Sequence, residues 1–114
     1  MKILILEDEP IRITWFLRRL CNHDVKVCVD SEDAIECLKI NKYDLIFLDH
    51  DLGGQAFVPS GPGTGYEVAQ FIATNENKNA KIVVHSHNYP GARNMCSVLP
   101  DAQHLPFGSF NINF

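Results

Sequence analysis

Two spacings of apolar residues alternate along the chain. Continuous runs at Ile3-Leu4-Ile5-Leu6, Leu45-Ile46-Phe47-Leu48 and Ile82-Val83-Val84 read as buried strands, the third beginning at Tyr43 and the fourth at Lys81. Val25, Val27 and Val29 alternate with Lys26 and Cys28, as in a half-buried strand near a sheet edge. Between these runs the spacing becomes helical. Ile13, Phe16, Leu17 and Leu20 recur at i, i+3, i+4 and i+7, and Pro10 suits a first turn, which predicts a helix from Pro10 to Cys21. Ser31 caps a helix with Ala34, Ile35 and Leu38 on one face, ending near Asn41. Thr64-Gly65-Tyr66-Glu67 has capping-box spacing and opens a helix with Val68, Ala69 and Ile72 inward. Pro90 begins a short helix around Gly91 to Val98, and Ala102 to Phe107 supplies a last short strand. The tail beyond is too short for another full helix.

Strands alternating with helices at this spacing predict an α/β fold, an open parallel sheet with helices on both faces, as one domain over residues 1–114. In such a sheet, chemistry collects at the carboxyl ends of the strands. Three strand ends are polar here: Glu7-Asp8-Glu9, Asp49-His50-Asp51 and His85-Ser86-His87-Asn88. The glycine- and proline-rich segment Gly53 to Gly63 follows the second of them and reads equally as a lid or as a tolerated surface insertion.

Composition narrows the possibilities. The chain is 46% apolar, enough for a packed core, yet no apolar run reaches the ~18 to 20 residues that span a bilayer. With no secretory signal pattern, a cytoplasmic protein without membrane contact is expected. A net charge of -4 disfavours duplex DNA, although a small phosphate ligand needs only a local cationic or metal site. Cys21, Cys28, Cys37 and Cys96 form no C-x-x-C pair and are expected as reduced, buried thiols.

Glu7, Asp8 and Asp49 are hard oxygen ligands suited to Mg²⁺ or Mn²⁺, and Glu7 and Asp8 are equally suited to favouring the next helix dipole. Asp51 is open to orienting His50, completing the metal shell or starting the loop. His50 and His85, at the ends of neighbouring strands, would bring two imidazoles into one pocket, a base to activate water and an acid to protonate a departing oxygen. His50, His85 and His87 with Asp49 or Asp51 would alternatively bind Zn²⁺. His87, past the strand, is expected to face away unless a turn restores convergence, and stays outside the preferred set. Ser86 and Asn88 can bind phosphate oxygens, Asn88 also being a helix cap. Arg12 and Arg93 are possible phosphate clamps. Phe57, Tyr66 and Tyr89 are open to stacking on a base, with nothing in the sequence selecting one. No Gly-x-Ser-x-Gly elbow supports a serine hydrolase, and Gly61 to Gly65 lacks the lysine of a P-loop.

These motifs resemble the receiver domain of two-component response regulators across nearly the whole chain. Ile3 to Glu9 matches that family's first strand and acidic pair, Asp49 its phosphoacceptor, Ser86 its hydroxyl residue, and Leu105-Pro106-Phe107 its Lys-Pro-Phe. The resemblance implies a flavodoxin-like, CheY-like sheet, here truncated at the terminal helix. Leu105 replaces the lysine that contacts the acyl phosphate in receivers, which argues against ordinary phosphorelay. Leu48 to Gly53, Thr64-Gly65 and His85 to Asn88 resemble a narrower receiver-like family assigned to cyclic-phosphate processing and discussed with RNA repair and phage-host conflict. That resemblance implies a metal-assisted phosphoesterase opening an RNA 2′,3′-cyclic phosphate or a cyclic nucleotide. In it His50 and His85 share proton transfer, Asp51 orients His50, and Ser86, Asn88 and Arg12 hold substrate. The competing expectations are a nucleotide-sequestering module and an atypical receiver phosphorylated on Asp49.

Overall fold

A computed structural model describes residues 1–109. The expectation about the tail reaches into residues 110–114, which lie outside the described residues. Five parallel strands, β1 (Lys2–Leu6), β2 (Asp24–Cys28), β3 (Leu45–Leu48), β4 (Lys81–Val84) and β5 (Gln103–His104), form one sheet in the order β2-β1-β3-β4-β5. Helices α1 (Pro10–Arg19), α2 (Ser31–Ile40), α3 (Gly65–Ala73) and α4 (Tyr89–Val98) connect them, with a 3-10 turn at Glu76–Asn79 before β4. The flavodoxin-like α/β expectation holds, and β2 lies at the sheet edge. None of the described helices is long and apolar enough to cross a membrane.

Successive strand residues point to opposite faces, which explains the continuous apolar runs: these strands are covered on both sides. Leu4, Leu6, Ile46, Leu48 and Val84 pack with Ala34 and Leu38 of α2, Val68, Ala69 and Ile72 of α3, and Ala92 and Met95 of α4. On the other face, Ile3, Ile5, Leu45, Phe47 and Val83 meet Phe16 and Leu20 of α1, with Trp15, Leu105 and Phe107 at the margin.

Local chemistry sets the boundaries. Glu9 caps α1 by accepting from the Arg12 N–H, and Pro10 follows in the first turn. Asp30, not Ser31, caps α2, accepting from the Asp33 N–H. Thr64 caps α3 through the Tyr66 N–H, while Glu67 reaches back to the Gly63 N–H, so the reciprocal bond falls one residue before the cap. Tyr43 does not begin the third strand. Its N–H donates to the side chain of buried Asn77, whose amide also donates to the Leu38 and Asn41 carbonyls and to Asn75. β5 is shorter than the segment 102–107 because Pro106 has no N–H to donate, although the Leu105 and Phe107 N–H groups still reach Val84 and His85 carbonyls. Cys28 is buried as expected, but Cys21 is exposed.

Candidate metal and phosphate site

The strand register builds the site. Leu6 pairs with Leu48 and Leu48 with Val84, so one residue further Glu7, Asp49 and His85 stand in a row. All three continue the phase of Ile5, Phe47 and Val83 and turn to the α1 face. Their ligating atoms lie within 4.8 Å of one another. His85 donates its Nε2–H to Glu7 Oε1 at 2.9 Å, and its ring lies against Phe16 and Phe47. Glu7 Oε2 accepts the Asp8 and Glu9 N–H groups, and Arg12 approaches Oε1 at 3.7 Å. Burial pushes Glu7 up, but the His85 hydrogen bond and charge, the Glu9 N–H and Arg12 outweigh it and hold the carboxyl below its usual range. Asp49 has weaker support. Burial pushes it up to about 6, with the Glu7 charge adding to the rise against the opposing His85 charge and His50 N–H bond.

His50 belongs to the next row and turns to the opposite face. Its Nδ1–H donates to Asp51 Oδ1 at 2.8 Å, and its Nε2 meets the Ser60 hydroxyl at 2.9 Å, which also accepts from Asn94. Asn88 spans the same network: its amide donates to Asp51 and to the Val58 carbonyl, while its Oδ1 accepts the Gly91 N–H as the cap of α4. Burial pushes Asp51 up, yet the bonds from His50, Asn88 and the Phe57 N–H hold it below its usual range. Two glycines make this packing possible, and sequence patterning gave no sign of their role. A Cβ on Gly65 would lie 1.8 Å from the Asp49 carbonyl oxygen, and one on Gly91 would lie 2.6 Å from the His50 ring.

Between the strand ends and the loop after β3 lies a cleft of about 320 Å³. Glu7, Asp8, Asp49, Asp51, Arg12, Ser86 and Asn88 all line it, as the sequence places them. The two histidines assigned to proton transfer do not. His50 and His85 are each 0% exposed and lie on opposite faces of the sheet, so the expected shared pocket is not formed. The three-histidine zinc arrangement fails for the same reason. His87 does line the cleft, because it shares the phase of His85 beyond the strand, and its Nε2–H donates to the Phe107 carbonyl. Arg93 is elsewhere, in a groove with Tyr89 and His104. A cavity of about 280 Å³ beside Ala73, Ile82 and Val98 adjoins the amino end of β4, away from this chemistry.

The cleft suits a hard divalent cation. Asp8 and Asp49 offer oxygens to it, and the raised pKa of Asp49 marks a carboxylate whose burial no cation offsets. Glu7 stands behind them with both oxygens engaged. His85 Nδ1 is a buried atom with no partner among the described residues, so the only nitrogen donor in the Glu7-Asp49-His85 group is fixed by its Nε2 bond rather than by a second contact.

Comparison with known proteins places this geometry. Among curated proteins, none matches the sequence. The receiver domain of the sensor histidine kinase PA1611 from Pseudomonas aeruginosa PAO1, with magnesium in its active-site cleft, is 25% identical, covers 96% of this chain and 86% of its own, and superposes with a TM-score of 0.72. The Thermotoga maritima response regulator TrrA, in complex with Mg²⁺ and BeF, is 22% identical over 95% of this chain and 90% of its own, TM-score 0.70. The phosphorylated cyanobacterial phytochrome response regulator RcpA is 22% identical over 94% and 81%, TM-score 0.73. These likenesses establish the receiver fold, and a sequence model of narrower scope matches residues 2–101. By that match the chain belongs to the cyclic-phosphate processing receiver domain family.

Proposed function

We propose that this domain opens a cyclic phosphodiester in the cleft at the ends of β1, β3 and β4. The supporting observation is the meeting of Asp8, Asp49, Arg12, Ser86 and His87 along one cleft in a chain of this family. Asp8 and Asp49 would hold Mg²⁺ or Mn²⁺. When bound, such an ion neutralises phosphate charge and acidifies a coordinated water.

The chain's own residues supply the rest. Arg12, whose guanidinium lies over the Phe107 ring at 5.2 Å, faces a phosphate oxygen, and the Ser86 hydroxyl binds a second. His87 takes the proton-transfer role. With Nε2–H committed to the Phe107 carbonyl, its Nδ1 accepts a proton from the attacking water and returns it to the leaving ribose oxygen. Asp51 and Asn88 act indirectly, holding the loop that walls the cleft. Leu105 packs with the apolar cluster on the α1 face and brings no charge to the site, which favours this reading over phosphorelay.

Phosphorus NMR with Mg²⁺ or Mn²⁺ and a panel of cyclic mononucleotides, cyclic dinucleotides and RNA 2′,3′-cyclic ends tests the proposal. Conversion of a cyclic signal to a phosphomonoester or linear diester is expected, lost in His87→Ala. Shifted but unconverted signals would replace hydrolysis with sequestration. A second reading, phosphorylation of Asp49, is favoured by its position at the end of β3 in a receiver fold; a stable adduct with a small phosphodonor, absent in Asp49→Asn, would support it.

A further inference from the structure

The loop after β3 is pinned on several sides. The Gly54 N–H donates to Asp8, the Phe57 N–H to Asp51 at 2.6 Å, the Val58 carbonyl accepts from Asn88, and Ser60 meets His50. Between these anchors Phe57 stands with its side 73% exposed while lining the cleft. It is also the one non-glycine among the described residues with positive φ, at 57°. An L residue is strained there. The same loop places glycine at Gly53 and Gly54, both at φ 78°, where only the backbone matters. A phenylalanine at the third such position serves no backbone purpose, and an exposed ring gains nothing from burial. Its position at the cleft supplies a purpose.

The other aromatic candidates are committed elsewhere. Tyr66 packs against the core, and Tyr89 lies edge-on to His104 in another groove. Among the described residues, Phe57 is the aromatic that lines the cleft.

We propose that Phe57 stacks on the nucleobase of the substrate, so that the site selects a nucleoside cyclic phosphate over one borne by a bare sugar or glycerol. This rests on the phosphodiester reading above and narrows it. A π face accepts every base, so the preference is for a base as such, greater for purines than for pyrimidines. Asp51 joins the two functions: one oxygen takes the Phe57 N–H and the other ties the loop to His50 and Asn88.

Isothermal titration of the wild type, Phe57→Ala and Phe57→Trp, each with Mg²⁺, tests this with adenosine 2′,3′-cyclic phosphate, glycerol cyclic phosphate and adenosine 5′-monophosphate. The wild type is expected to bind the adenosine cyclic phosphate about tenfold or more tightly than the glycerol compound. Phe57→Ala loses that preference without weakening glycerol cyclic phosphate, and Phe57→Trp keeps it, with indole fluorescence quenched beyond the wild-type Trp15 background. Equal binding of both cyclic compounds, or an unchanged preference in Phe57→Ala, overturns the stacking role and leaves the phosphodiester reading standing. Binding of the 5′-monophosphate alone, weakened in Phe57→Ala, upholds stacking and overturns the cyclic substrate. Binding of none of the three overturns both.

Discussion

His50 and His85 leave adjacent strands one row apart in the register, and that offset sends their rings to opposite faces of the sheet. His85 is locked to Glu7 among Phe16 and Phe47; His50 is locked to Asp51 and Ser60 under Gly91. Each is a buried, hydrogen-bonded part of the scaffold, and the imidazole at the cleft is His87.

Replacing these residues therefore separates folding from turnover. His85→Ala leaves Glu7 buried without its principal partner and costs about 3 kcal/mol. His50→Ala frees the loop at Ser60 and costs a smaller amount. His87→Ala is expected to leave the melting temperature within a few degrees while abolishing conversion of cyclic phosphate. Thermal melts beside the phosphorus NMR assay check all three; wild-type turnover in His87→Ala would remove that residue from the mechanism.

Asp49 predicts an unusual pH dependence. With its native pKa near 6 against the ordinary 3.8, the folded protein holds a proton that the unfolded chain has released between those values. Its contribution to stability therefore falls as pH rises from about 4 to about 6, by about 3 kcal/mol, and stays lost above. Glu7 and Asp51, shifted downward, act oppositely: their contributions are full above their ordinary values and vanish as pH falls. Asp49→Asn is expected to be more stable than the wild type at pH 7.5 without divalent ions and equal to it near pH 4, measured by urea unfolding. Equal stability at pH 7.5 would refute the raised pKa.

A divalent ion reverses that deficit. At a hundredfold excess over its Kd, Mg²⁺ or Mn²⁺ stabilises the wild type by about 2.7 kcal/mol. Differential scanning calorimetry should show the gain largely lost in Asp49→Asn and reduced in Asp8→Ala. An identical upshift in all three proteins would move the ion away from this cleft.

Gly65 and Gly91 tolerate no side chain. Gly65→Ala sets a Cβ against the Asp49 carbonyl backbone and is expected to prevent folding, or to cost at least about 3 kcal/mol. Gly91→Ala pushes on the His50 ring instead, which can yield only by displacing Ser60 and the loop. Circular dichroism and limited proteolysis of the loop distinguish them: a global loss for the first, early cleavage within residues 53–63 for the second.

Asn77 joins the end of α2, the start of β3 and its own turn. Asn77→Ala leaves the buried Tyr43 N–H and the Leu38 carbonyl without their partner, at about 3 kcal/mol. Asn77→Asp retains the acceptor for Tyr43 but loses the donors, and should be destabilising as well. Denaturant midpoints within error of wild type for both would contradict the network.

The sequence by itself determined the order of elements, the parallel sheet and the edge to which the chemistry is delivered. Those depend on period and punctuation: the runs at Ile3 to Leu6 and Leu45 to Leu48, the helical spacing around Phe16, and Pro10 at a helix start. It also determined that Asp8, Asp49, Arg12 and Ser86 stand together, since consecutive strand ends in such a sheet share one rim. Tertiary structure alone decided which face each side chain takes. Facing depends on register between strands distant in sequence, and a shift of one residue reverses it, which is why His50 and His85 part while His87 reaches the cleft. The loop was legible as irregular from its glycines and prolines, but its closure onto Asp8, Asp51 and Asn88, and the strained Phe57 it carries, arise from long-range hydrogen bonds that no local pattern encodes.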